Sequence, residues 1–477
     1  MRIPHAFAAA TIAAAGSVTI TPVQSQTPVR PQATVQLQAM AAGELDPRIQ
    51  TLISSISEER LKQLLTKLSS FHTRNTLSDP NQPNGLGAAR QWILDEMQRS
   101  SPKLQVSFDT HIIPPGGRIP QETELRNIIA VLPGKSPRRI YVSGHYDSLN
   151  LGQRGQAGLN TGAGARGAGA GAQGRGAGQG RGGQRSDPNV VAPGANDDGS
   201  GTVLSMELAR VFAASGIEFD ATLVFMAVAG EEQGLIGSRA HAARMKEQKV
   251  PVQALFNNDI VGNSTGGNGI VDGATVRVYS EGPEDSPSRS LANFAKRIAE
   301  KYVPSHELRL LSRRDRFGRG GDHSGFNAEG FAAIGFRESR ENYSKQHNAN
   351  DTIDGVSFTY LVQNARANAA GMAVLALAPP PPEVRQNMLG RRPSGYDANL
   401  RWTASPGAAG YRIFWRKAWA PTWEHELYVG NVTAYVLPDK NIDDHVFGVA
   451  AVGPGGHEST ISAYVMAPRA AAADGKW

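Results

Sequence analysis

The sequence contains no cysteine. Disulfides, thiolate-held zinc and thiol nucleophiles are therefore excluded, and any metal must be held by His, Asp and Glu. Beyond the N-terminus no stretch supplies the ~20 consecutive apolar residues that a membrane span requires. Acidic residues are missing altogether from 151–186, and large apolar residues nearly so; that stretch is Gly, Ala, Gln and Arg. It cannot bury enough surface to fold, which marks it as a disordered surface insertion. The formal charge of +6 looks basic, but five arginines (Arg154, Arg166, Arg175, Arg181, Arg185) lie in that stretch. The charge balance thus gives no argument for a nucleic-acid partner.

What is present suits one large domain and a smaller one within 477 residues. Arg2 and His5 precede a mostly apolar run over 6–20, and Val23 and Ser25 are small enough for cleavage after Ser25. This pattern predicts an export signal over 1–25 and a soluble mature protein in the periplasm or outside the cell. Residues 26–45 lack periodicity and read as a linker. A helix should begin near Ser55, where Ser55 and Glu58 have capping-box spacing; Leu61, Leu64, Leu65 and Leu68 then line one face. Ala89, Trp92, Ile93 and Met97 mark a second helix.

Short apolar runs follow at 128–132, 140–143, 222–229, 255–259, 276–279 and 332–336, separated by helical stretches such as Leu204, Leu208, Val211 and Phe212. The alternation predicts an α/β domain over 46–378, a mixed and mostly parallel sheet buried on both faces by helices. A long helix over about 358–378 closes it. Four prolines at 379–382 make a stiff extended linker. The remainder, 383–468, reads all-β: Leu400 and Trp402 alternate, as do Tyr411, Ile413 and Trp415, and again Phe447, Val449 and Ala451. Short strands and turns of this kind predict a small β-sandwich, followed by a tail over 469–477. The run from Phe447 to Ser459, with Trp402 and Tyr411 upstream, resembles a fibronectin type III module. The resemblance implies a binding, spacing or docking role, with a surface offered to another protein or support.

Five elements carry residues suited to chemistry. His145-Tyr146-Asp147 follows a strand, so His145 and Asp147 project from one face if the extended form continues, and a carboxylate there can orient a ligating imidazole. Asp197 lies in Pro193-Gly-Ala-Asn-Asp-Asp-Gly-Ser-Gly201, where small residues allow close backbone approach. Glu231 and Glu232 are adjacent like charges just past a buried strand, a costly arrangement unless something positive compensates. Asp259 ends another apolar run, and His347 lies in Gln346-His-Asn-Ala-Asn-Asp351. Three of these elements fall at strand ends, where open α/β sheets place ligand sites. Two histidines and three carboxylates suit Zn²⁺, and with one carboxylate bridging they can hold two metals. Four positive charges would be cancelled by three carboxylates and a bridging hydroxide.

In this order the motifs His145-Tyr-Asp147, Gly-Ala-Asn-Asp197-Asp-Gly-Ser-Gly, Gly-Glu231-Glu232-Gln-Gly-Leu, Asn-Asp259 and Gln-His347-Asn-Ala-Asn-Asp resemble metallopeptidase family 28. That family includes leucyl aminopeptidases, glutamate carboxypeptidase II and glutaminyl cyclases, and the resemblance runs from about Glu58 to Ala378. It implies a zinc-exopeptidase fold and two Zn²⁺ ions, one on His145 and Asp259, one on Glu232 and His347, with Asp197 bridging. It further implies Asp147 as support for His145, Glu231 as general base, and a metal-bridging water as nucleophile towards peptide N-termini. Gly321-Asp322-His323-Ser324 resembles a family segment near the substrate pocket and is expected to line it or support it. One departure is the 51-residue separation of His145 from Asp197, which a flexible loop tolerates at little cost.

The expected activity is that of an exported aminopeptidase. Alternatives on the same site are a carboxypeptidase and a glutaminyl cyclase. The former needs a cationic anchor, for which Arg313, Arg314, Arg316 and Arg319 offer themselves, although a solvated charge run explains them more simply. A non-catalytic adhesion or receptor protein on a peptidase scaffold is the alternative of another class; none of the expected ligands is missing, which argues against it.

Overall fold

Helices α1 (Pro47–Ser54), α2 (Glu58–Ser69) and α3 (Leu86–Ser100) open the computed structural model, which describes residues 45–152, 187–391 and 396–465. The expected export signal, the Gly/Arg-rich insertion and the tail lie outside these residues, apart from positions at the edges of the insertion. The cap of α2 is Ser57, whose hydroxyl accepts from the amide of Arg60 at 3.1 Å. The capping-box spacing places the start two residues early, because Ser55 already closes α1. Leu61, Leu64, Leu65 and Leu68 are buried as the periodicity requires.

The sheet begins with β1 (Gln105–Ile113), β2 (Thr123–Leu132) and β3 (Ser136–His145). Helix α4 (Ser200–Ala214), β4 (Ala221–Val228), α5 (Ile236–Glu247) and β5 (Val252–Asn258) follow. Next come β6 (Thr275–Ser280), α6 (Pro287–Tyr302), β7 (Glu307–Leu311), the short α7 (His323–Ala328), β8 (Ala333–Glu338) and α8 (Phe358–Leu377). Among the described residues the eight strands lie in the order β1-β2-β4-β3-β5-β8-β6-β7. β4, β3, β5 and β8 are parallel, and β1, β2 and β6 add antiparallel pairings. Every residue of β4 and β8 is buried, which is why β4 and the first four residues of β8 read as apolar runs.

The order fixes where a site can form. From β3 the chain crosses to β4 on one side, and from β4 it crosses back to β5 on the other. The carboxyl end of β3 therefore opens at a topological switch point, the crevice where α/β sheets bind ligands. His145 is the last residue of β3.

After 379–382 the chain forms two antiparallel sheets. Strands β9 (Leu389–Arg391), β10 (Ala398–Arg401) and β13 (Ala434–Leu437) make one; β11 (Gly410–Lys417), β12 (His425–Gly430), β14 (His445–Val452) and β15 (Ser462–Ala463) make the other. Leu400, Trp402, Ile413, Phe447 and Val449 fill the space between them. The opposite face of β11 presents Arg412, Phe414 and Arg416, alternate positions as a strand requires, and this face meets the large domain. The Glu458 carboxylate joins Arg297 of α6 at 2.7 Å to Arg412 at 2.5 Å. Arg416 pairs with Asp285 at 2.7 Å, and the Arg297 guanidinium lies 4.8 Å from the centre of the Phe414 ring. His457 reaches Asp46, the cap of α1, at 3.0 Å. The sequence leads to a stiff spacer between modules; the prolines instead join two bodies held together by buried charge pairs.

Candidate metal centre

His145 reaches its position because β3 lies close against the start of α4. A side chain at Gly144 would meet the backbone of Gly201 at 2.2 Å, and one at Gly201 would meet the carbonyl of Asn258 at 2.2 Å. These two glycines let β3, the 193–201 loop and β5 converge. The Asp198 carboxylate fastens the junction by accepting from the amides of His145 (2.9 Å), Gly201 (2.8 Å) and Ile260 (3.1 Å). Its neighbour Asp197 is thereby aimed into the crevice, with its own amide held by Asp351 at 2.8 Å.

Asp197 stands between two groups of donors. His145, Asp197 and Asp259 each offer one atom within 4.8 Å of the others, and so do Asp197, Glu232 and His347. His145 Nε2 lies 3.3 Å from Asp197 Oδ1 and 3.7 Å from Asp259 Oδ1. His347 Nε2 lies 3.0 Å from Asp197 Oδ2 and 3.3 Å from Glu232 Oε2. Nδ1 of His145 donates to the backbone carbonyl of Asp147 at 3.1 Å, which leaves the Nε2 lone pair facing the crevice.

Asp147 acts on three residues at once. Its carboxylate accepts from the amides of Glu231 and Glu232, both at 3.2 Å, and from the Thr76 hydroxyl at 3.1 Å. It also lies 3.5 Å from His145 Nδ1. Glu231 belongs to neither donor group. Backbone strain gathers here too: Leu235, Ile260 and His347 all have left-handed φ, at 62°, 59° and 54°. For a β-branched residue such as Ile260 this is rare, and such residues cluster at functional sites.

The charges in the site are compensated unevenly: burial would raise the Asp197 carboxyl, yet His347 and His145 hold it well below its usual range, while Glu232 has no comparable help. Burial would lower the His145 imidazole, yet Asp147, Asp197 and Asp259 hold it well above its usual range. Burial pushes the Glu232 carboxyl well up, and the charges of Asp197 and Glu231 add to this. Asp259 is buried but is held down to about 2, chiefly by Arg337. Burial and the Asp197 charge raise Asp351 to about 7. Glu232 Oε1 and Asp259 Oδ1 are buried without a hydrogen-bond partner, and Asp197 Oδ2 has only His347 Nε2 beside it. Buried carboxylate oxygens left unpaired are costly, and cations at these two positions would satisfy them. The donor set of imidazole nitrogen and carboxylate oxygen fits divalent zinc.

The structure brings His145, Asp147, Asp197, Glu231, Glu232, Asp259 and His347 to one crevice. Asp322 is buried near them, raised to about 7 by burial and by the like charges of Asp147 and Asp259; His323 donates to the Arg314 carbonyl at 2.7 Å. The arginine run needs correction. Arg313 and Arg314 are exposed, but the half-buried Arg316 pairs with Asp315 at 3.1 Å and Glu341 at 2.6 Å, and the half-buried Arg319 donates to Gln346 at 3.0 Å, so the run is not simply solvated. Sequence reasoning passed over Thr76, Asp198, Asp351 and Arg337. Asp198 and Asp351 lie inside the quoted motifs and were within reach of it; Thr76 and Arg337 carry no local signal.

Residues 127–372 match the family model described as Peptidase family M28, a span that includes every donor from His145 to His347. A probable zinc metalloprotease of Pyricularia oryzae is 35% identical over 456 residues, covering 87% of this chain and 84% of that protein. One of Leptosphaeria maculans is 34% identical over 444 residues, covering 86% and 94%. Among solved structures, the Legionella pneumophila LapA aminopeptidase has the same fold, with a TM-score of 0.51 at 21% identity over 72% of this chain and 78% of that one. The chain is thus a peptidase by class. It belongs to peptidase family M28.

Proposed function

We propose that this chain is an exported aminopeptidase that works with two zinc ions, one between His145 and Asp259, the other between Glu232 and His347, bridged by Asp197. The observation that carries the reading is the sharing of Asp197 by two donor groups. The relatives named as zinc metalloproteases support zinc as the ion. When bound, zinc supplies a Lewis acid that polarises the scissile carbonyl and lowers the pKa of water towards ~7.

The chain's own residues do the rest. Asp147 fixes the glutamate pair by its two amide contacts and keeps His145 oriented. Glu231 stands free of both donor groups, and burial with the charges of Asp259 and Asp322 holds its carboxyl well above the usual range, against the opposing pull of His145. It takes the proton from the attacking water and passes it to the leaving amine. The surplus of carboxylates over two ions suits a substrate bearing a protonated amine. A carboxypeptidase would need a free cation facing the crevice; Arg316 and Arg337 are committed to acidic partners and Arg319 donates to Gln346 at 3.0 Å, which leaves only the exposed Arg313 and Arg314 of that run. The apolar run over 6–20 behind Arg2 supports export, and among the described residues no helix is long and apolar enough to cross a membrane. The paired sheets after 383 are read as a fibronectin type III-like module whose exposed Trp419 is open to a further partner.

Metal content, measured beside hydrolysis of matched peptides with free and acetylated N-termini, tests the proposal. Two zinc ions per chain are expected, with activity lost on chelation and absent towards the acetylated peptide. Equal cleavage of both peptides, or release of residues from the C-terminus, would overturn it.

A further inference from the structure

Arg337 is a charged residue inside β8, 1% exposed, where the strand is otherwise closely packed. β8 runs parallel to β5 with Phe336 opposite Asn258, so the next position of β8 falls beside Asp259. The guanidinium donates to Asp259 Oδ2 and, at 3.3 Å, to the Asp259 carbonyl. It also donates to the Gly320 carbonyl at 2.9 Å and lies 3.5 Å from Asp315. Asp315 is itself fixed by Arg316 at 3.1 Å. With four acceptors around it and 1% of its surface exposed, the guanidinium is held in place.

The consequence is an inequality between the two acidic donors. Asp259 has Oδ2 occupied and only Oδ1, the oxygen facing His145, left free. No lysine or arginine pairs with the Glu232 carboxylate among the described residues, which has His347 Nε2 at 3.3 Å; Arg118 reaches only the backbone carbonyl of Glu232, at 2.8 Å. A fixed positive charge beside one donor opposes a cation there directly, and in a buried site that opposition is poorly screened.

We propose that Arg337 is a positioning residue that confines Asp259 to one free oxygen and makes the His145–Asp259 position the weaker of the two cation sites. The inference rests on the two-metal reading above and deepens it. Lys could not reproduce the effect in full, because its ammonium lacks the planar fork that holds Asp259 and Gly320 together.

The test is a titration of the metal-free full-length protein with Zn²⁺ against a chromophoric chelator, repeated with Co²⁺ to record its visible spectrum. The wild type should bind two ions in separate steps, and Asp259→Asn should lose the weaker step. Arg337→Gln should tighten the weaker step on the order of tenfold, the scale on which partners of metal ligands move affinity, and leave the tighter step in place. Arg337→Lys should tighten it less, which keeps the test open should Arg337→Gln fail to fold. The Co²⁺ absorption of the weaker site should fall in intensity in the variants as Asp259 offers a second oxygen, since intensity follows coordination geometry. If the wild type binds fewer than two ions, the two-metal reading fails and this inference with it. If two ions bind but the weaker step loosens or stays unmoved in both variants, or if Asp259→Asn removes the tighter step, the role of Arg337 alone is overturned.

Discussion

Asp197 and Asp147 use the same functional group for different ends. Asp197 offers its oxygens to the crevice, whereas Asp147 spends its own on the Thr76 hydroxyl and two amides. Asp197→Asn should therefore abolish both bound ions in a metal analysis, while Asp259→Asn removes one. Glu231→Gln should lower kcat by roughly 10²–10⁴-fold, the usual contribution of a general base, with metal content unchanged. A parallel loss of metal would reassign Glu231 as a ligand. Glu341 sets a pH dependence. Burial would raise its carboxyl, but Arg316, Arg277, Arg337 and Arg319 hold it down to about 2, from an ordinary 4.5. A depressed carboxyl stabilises the fold fully above its unfolded pKa and loses that contribution as pH falls through the folded one. Thermal midpoints should thus decline between pH 4.5 and 2 in the wild type, and less steeply in Glu341→Gln, which starts lower at neutral pH.

Element by element, the sequence was legible wherever burial is symmetrical. β4, β5 and the start of β8 are apolar runs because helices or sheet cover both faces, and His145 and Asp259 could be placed at strand ends for that reason. β1 and β7 were not legible. They are the edges of the sheet, and β1 alternates exposed and half-covered positions around a single buried Asp109, so neither forms an apolar run. Arg337 was hidden for a related reason: its partner Asp259 lies 78 positions away, and no local spacing records a neighbour set by strand register. The α2 cap shows how near-identical signals mislead, since Ser55 and Ser57 both precede the glutamates. Ser57→Ala should cost about 1 kcal/mol of stability, the usual worth of a cap. Chemical denaturation of both serine variants would decide the assignment, for a comparable loss in Ser55→Ala would contradict it.

At the scale of the molecule, the C-terminal sheets are attached by more than a tether. Glu458 lies between Arg297 and Arg412, its side chain 11% exposed, and its removal leaves two guanidiniums facing each other across the junction. Arg412 keeps Glu426 at 2.8 Å, so Glu458→Gln should destabilise the protein by roughly 1 kcal/mol, the cost of leaving the half-buried Arg297 without its carboxylate. A hinged module would show no change in the melting of the large domain, and calorimetry would reveal the two behaviours as one transition or two.

The contact between Asp46 and His457 spans 411 positions of sequence. Synthesis proceeds from the N-terminus and domains begin to fold as they emerge, so α1 leaves the ribosome long before the imidazole that braces its capping carboxylate has been made. Its docking must await α8, on which it packs, and the His457 contact comes later still. Nascent chains halted short of α8 should accordingly expose the first helix to protease, and release of the finished chain should close that window.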